Sequence, residues 1–133
     1  MPFAGDGWLS IFYQNVTTGS LERATYLGPS ASSNCGFNSS GTGQNEWLCE
    51  TIHSMDGATA KRAISAAADR DGFPVVAYQF SADPGPKLLG VARPIAAPGV
   101  SSSGNCGPGD AWFCETLDGD TNHSEADSVS LVF

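Results

Sequence analysis

NCGFNSSGTGQNEWLCETI at residues 34–52 returns as NCGPGDAWFCETL at residues 105–117. The two copies hold all 4 cysteines, and they show a chain built from repeats. Working outward, DGWLSIFYQ at 6–14 answers DGFPVVAYQ at 71–79, and AISAAA at 63–68 answers SVSLVF at 128–133 with the same offset. Between these blocks the offset drifts, with Leu21 and Ala24 answering Leu89 and Ala92. Insertions and deletions therefore fall in loops while the flanking segments keep register, as in a repeated supersecondary unit.

The segments between turns are short and rich in aromatic and β-branched residues: 8–13, 21–26, 47–52, 63–68, 73–80, 87–93, 112–117 and 128–133. All read as strands. Asp6-Gly7 and Asp71-Gly72 are hairpin signals, and 15–20 and 81–86 are loop-forming clusters. Only ATAKRAISAAAD at 58–69 is locally compatible with a helix. Its partner SEADSVSLVF is strand-like from Val129 onward, so both are assigned as strands. One unit then holds four antiparallel strands, at 63–68, 73–80, 87–93 and 112–117.

That is the make-up of a propeller blade. A small-residue strand, an Asp-Gly hairpin, VVAYQ, an L-x-x-A strand, then NCG and W-x-C-E-T resembles the β-propeller repeats of secreted bacterial and fungal proteins, and is distantly similar to propeller lectins. The resemblance covers essentially the whole chain and is specific for the blade rather than for function. It implies an all-β fold of two tandem four-stranded antiparallel blades. Residues 1–62 form a blade lacking its first strand, 63–127 a complete blade, and 128–133 the first strand of a further one. Two blades are too few to close a ring, which takes about four to eight. The strand carrying Val129, Leu131, Val132 and Phe133 is therefore expected to pair with a neighbouring chain. Such a contact is head to tail and closes into a ring or grows into a filament, with a trimer of six blades favoured. The remaining possibility is an excised part of a larger propeller.

A chain of 133 residues is one domain's worth. Its 6 Lys plus Arg against 14 Asp plus Glu give a net charge of −8, which repels phosphate backbones and anionic headgroups. Neither nucleic acid nor a membrane surface is expected as partner, and no apolar run approaches the roughly 18 residues of a span. Neither cysteine pair, Cys35 with Cys49 or Cys106 with Cys114, has zinc-ribbon spacing. The loop between the first pair is the longer, yet both ends are kept in the second, as a bond clamping a loop permits and a fixed metal cage does not. Two local disulfides are the favoured reading, with four buried reduced thiols as the alternative. Disulfides point to an oxidising, extracellular compartment. Residues 1–7 lack the basic and apolar regions of a signal peptide, so secretion is expected to rely on a leader removed or replaced. Asn15, Asn38 and Asn122 each begin an Asn-x-Ser/Thr glycosylation pattern.

The catalytic inventory is poor. The 2 histidines, His53 and His123, have Asp118 and Ala58 as repeat counterparts, and no nucleophile elbow, HExxH, phosphate loop or dinucleotide fingerprint is present. Glu50 and Glu115 recur after each second cysteine and are read as strand residues rather than paired acids. No enzyme activity and no cofactor are expected, with calcium as the one exception weighed. Asp118, Asp120, Asn122 and Asp127 place oxygen ligands as the start of a calcium loop does, although His123 stands where such loops want glycine and Val129 where they want a bidentate acid. A solvated acidic turn is the favoured alternative. Trp47 and Trp112 are equivalent and read first as packing residues, while Trp8 is the better candidate for an exposed ring. These three carry the second functional reading, a carbohydrate-binding lectin whose partners are glycans. The leading one is a non-enzymatic extracellular structural or adhesive module.

Overall fold

The computed structural model describes residues 9–15, 17–54, 63–81, 87–100 and 103–118. Among these residues eight strands form two four-stranded antiparallel sheets. The first contains β1 (Ser10–Gln14), β2 (Leu21–Tyr26), β3 (Cys35–Phe37) and β4 (Asn45–His53), in the order β1-β2-β4-β3. The second contains β5 (Ile64–Ala68), β6 (Pro74–Ser81), β7 (Lys87–Pro94) and β8 (Trp112–Asp118), in simple meander order. Within the alanine-rich segment that passed locally for a helix, Ile64–Ala68 is the strand β5, paired with β6.

The two sheets superpose in register as the repeat requires. Ile11 opposes Ala24 and Ala24 opposes Cys49 in the first, as Val76 opposes Ala92 and Ala92 opposes Cys114 in the second. Even the ladder irregularity recurs, between Leu21 and Glu22 and again between Leu89 and Gly90. A bulge of this kind bends and twists a strand, and it falls at the same repeat position in both sheets.

One element departs from the sequence reading. The first sheet reaches four strands through β3, a three-residue strand on the outer side of β4, whereas four strands were expected only with a strand lent by another chain. Cys35–Phe37 escaped notice because it is short, contains glycine and sits among turn formers. In the second sheet the shorter loop leaves a single bridge, Cys106 to Trp112, with a 3-10 turn at Pro108–Asp110. Between β5 and β6, the Asp69 carboxylate accepts from the Asp71 and Phe73 N–H groups at 2.9 and 3.0 Å, and Gly72 takes φ 84°. The sequence-expected hairpin at Asp71-Gly72 is therefore built as much by Asp69 as by the Asp-Gly pair.

The core lies between the sheets. Leu21 and Ile52 from the first pack with Val76, Tyr78, Ala92 and Trp112 from the second, and Phe12 closes against Trp112 edge to face at 5.9 Å. Burying each large side chain of this cluster contributes about 1.5–3 kcal/mol.

Candidate functional site

The recurrent NCG…W-x-C block is a clamp, and every fixed residue in it has a task. Asn34 Nδ2 donates to the Cys49 carbonyl at 3.0 Å while its Oδ1 accepts from the Cys49 N–H at 2.7 Å. Asn105 does the same to Cys114, at 2.9 and 2.7 Å. A side-chain amide thus imitates one rung of a β-ladder on an outer strand. The disulfides Cys35–Cys49 and Cys106–Cys114 lie beside it, with Cα separations of 6.1 and 6.0 Å. The glycine that follows takes φ 67° at Gly36 and 75° at Gly107. A Cβ on either would stand 2.3 Å from Trp47 Cδ1 or 2.6 Å from Trp112 Cδ1. The tryptophan lies on the glycine, which leaves no room there for a side chain.

The longer loop carries a buried acid. Glu46 has 0 % relative exposure and its Oε2 accepts from the Ser40 N–H and the Thr42 hydroxyl, both at 2.9 Å. Hydrogen bonds from the Ser40 side chain and backbone, then Thr42 and Ser39, hold its carboxyl at about 2, against burial that pushes it up.

Between the sheets, His53 Nδ1 and the Tyr78 hydroxyl meet at 2.6 Å with their rings edge to face. Burial lowers the His53 imidazole and raises the Tyr78 phenol, so both are neutral near pH 7 and the bond joins two uncharged groups across the sheet interface. Arg23 donates to Ser10 Oγ at 2.9 Å and lays its guanidinium 5.6 Å from the Trp112 ring centroid. A cavity of about 230 Å³ beside His53 and Tyr78 is bounded by Asn105, Cys106, Glu115 and Thr116. A larger groove of about 620 Å³ runs by Pro29, Ser30, Ser33, Phe37, Gln44 and Asn45, with Phe37 68 % exposed.

No family model, curated protein or solved structure gives a significant match to this chain.

All 4 cysteines are in disulfides, which leaves none reduced. Trp112 is enclosed under Phe12 and Arg23, and Trp47 is half-buried against Tyr26 at 5.2 Å. Glu115 meets Arg93 at 4.0 Å and Glu50 lies opposite Arg23, so each repeated acid has a basic neighbour on its own sheet. Asn15 organises its turn, accepting from the Thr17 N–H at 3.0 Å and donating to Glu22. Asn38 is exposed with φ 60°, and its Oδ1 accepts from Gly43 at 2.7 Å. Trp8, Asp120, Asn122, Asp127, Val129, Leu131, Val132 and Phe133 lie outside the described residues, and of Asp118 only the backbone at the end of β8 is described. Among the described residues no three His, Cys, Asp or Glu side chains converge as a metal site.

Sequence reasoning missed the Asn34 and Asn105 clamps, Glu46 and the Phe37 groove. The recurrence of Asn before each first cysteine was the available signal for the clamps. Nothing in the sequence marked Glu46, whose repeat counterpart is Ala111.

Proposed function

We propose that the chain is a non-enzymatic extracellular structural or adhesive module, made of two propeller-type blades that self-assemble head to tail by strand exchange. The observation that carries this is a difference in strand order. β6 lies between β5 and β7, while β1, its counterpart in the first repeat, is the terminal strand of its sheet among the described residues. Residues 128–133 stand at the repeat position of residues 63–68, which include β5, and in this reading supply the neighbour of β1 from another chain. Two disulfide-clamped outer edges suit an oxidising compartment, and among the described residues no helix is long and apolar enough to cross a membrane.

Deleting residues 128–133 tests the exchange. Light scattering is expected to show an oligomer for the full chain and a monomer for the deletion. A full chain that stays monodisperse and monomeric sinks the reading, and so does a deletion that associates unchanged.

The Phe37 groove favours a second reading, a lectin. An exposed ring above hydroxyl and amide side chains offers a sugar one apolar face to stack on and polar groups to bond. A glycan array with the full chain and Phe37→Ala decides it, since binding to no sugar by the full chain removes the lectin.

A further inference from the structure

The repeat lets each residue be compared with its own counterpart. In the second sheet Val76, Tyr78, Ala92 and Trp112 are 0, 1, 0 and 4 % exposed, because the first sheet covers them. Their counterparts on the first sheet are Ile11, Tyr13, Ala24 and Trp47. Ile11 is 50 % exposed and the other three are half-buried. The covering face shows the converse. On the first sheet Leu21 and Ile52 are 0 and 1 % exposed, whereas the counterparts Leu89 and Leu117 are half-buried and 58 % exposed. Among the described residues the chain therefore contains one finished copy of an inter-sheet contact and the two halves of a second, open at Ile11 in one and at Leu117 in the other.

We propose that these halves meet between chains: the face of one chain's first sheet bearing Ile11, Tyr13, Ala24 and Trp47 receives the face of a neighbour's second sheet bearing Leu89, Phe113 and Leu117. The occupant is a second copy because the complementary surface is already defined inside the molecule, where the same positions fit each other. Leu117 takes the place of Ile52, Leu89 that of Leu21, and Val91 that of Arg23 against the tryptophan face. Each chain carries one half of each kind, so the contact is heterologous and propagates in one direction. This deepens the head-to-tail reading by naming the surfaces, and it rests on burial rather than on the end strand.

Ile11→Glu and Leu117→Glu put a charge into opposite halves at exposed positions. Sedimentation equilibrium from about 1 μM to about 1 mM is expected to show each variant associating about a hundredfold more weakly than the unaltered chain, or not at all. Mixed together, they pair through their intact halves and stop at a one-to-one dimer. Ile95→Glu, at a residue 38 % exposed in the turn after β7, serves as control and associates normally. Intact mass with both disulfides present and an unchanged near-ultraviolet dichroism spectrum establish folding, with Ala24→Arg as the substitute if Ile11→Glu fails them. Face variants that associate normally overturn this contact, as does a mixture of monomeric variants that forms no dimer. The strand-exchange reading is judged separately. If the 128–133 deletion associates while the face variants do not, the exchange falls and the face contact stands. If the deletion is monomeric and the face variants associate, the reverse holds.

Discussion

Glu46 sits with its side chain enclosed near the start of β4, and donors from the Cys35–Cys49 loop converge on it. Its carboxyl is held at about 2 against an ordinary 4.5, so the folded state binds its proton less readily than the unfolded chain. The contribution of this group is then fully present above pH 4.5 and is lost as the pH falls from 4.5 through about 2. Thermal melts of the full chain and Glu46→Gln, taken across that window, are expected to converge toward acid pH, the variant having no such carboxyl to titrate. A constant gap between the two curves would remove the loop carboxylate from the account. At this scale the sequence was legible where residues recur. Asn34, Cys35, Gly36 and Trp47 announced themselves by returning, although their division of labour was not legible, because an amide imitating a ladder rung and a ring lying on a glycine leave no periodic trace.

Among the elements, the strands that alternate apolar with polar side chains were readable, and so was β5, through its partner segment at 128–133 rather than through its own alanines. β3 was not, since three residues cannot establish a period. The two disulfides fix these outer edges. Their sequence separations of 14 and 8 differ almost twofold, yet loop-closure entropy depends on the logarithm of length. Each Cys-to-Ser pair is therefore expected to lower stability by a similar amount, about 3 kcal/mol, with the longer loop costing slightly more. Denaturant unfolding of the two double variants measures this directly. The second sheet provides a contrast, because among the described residues its outer edge has only the Cys106–Trp112 bridge in place of a strand. A markedly larger loss for the Cys106–Cys114 variant would show that the bond supports that edge in the native state, beyond its effect on the unfolded chain.

For the whole molecule, the equivalence of Trp47 and Trp112 turns assembly into a stability measurement. Both rings lie on a glycine beside a disulfide, but Trp112 is 4 % exposed within the inter-sheet core while Trp47 is half-buried at a face that the neighbour is proposed to cover. In dilute solution Trp112→Ala is expected to cost about 3–5 kcal/mol and Trp47→Ala less, because its ring is the less deeply buried of the two. Association that buries the Trp47 face stabilises the native state by mass action, so the melting temperature of the full chain rises with protein concentration. Trp47→Ala removes the ring from that contact and is expected to flatten the rise. Melts at two concentrations a hundredfold apart separate the cases. A Trp47→Ala chain whose melting temperature climbs with concentration as the unaltered chain's does would place the self-contact elsewhere, while a full chain with no concentration dependence would remove self-association itself.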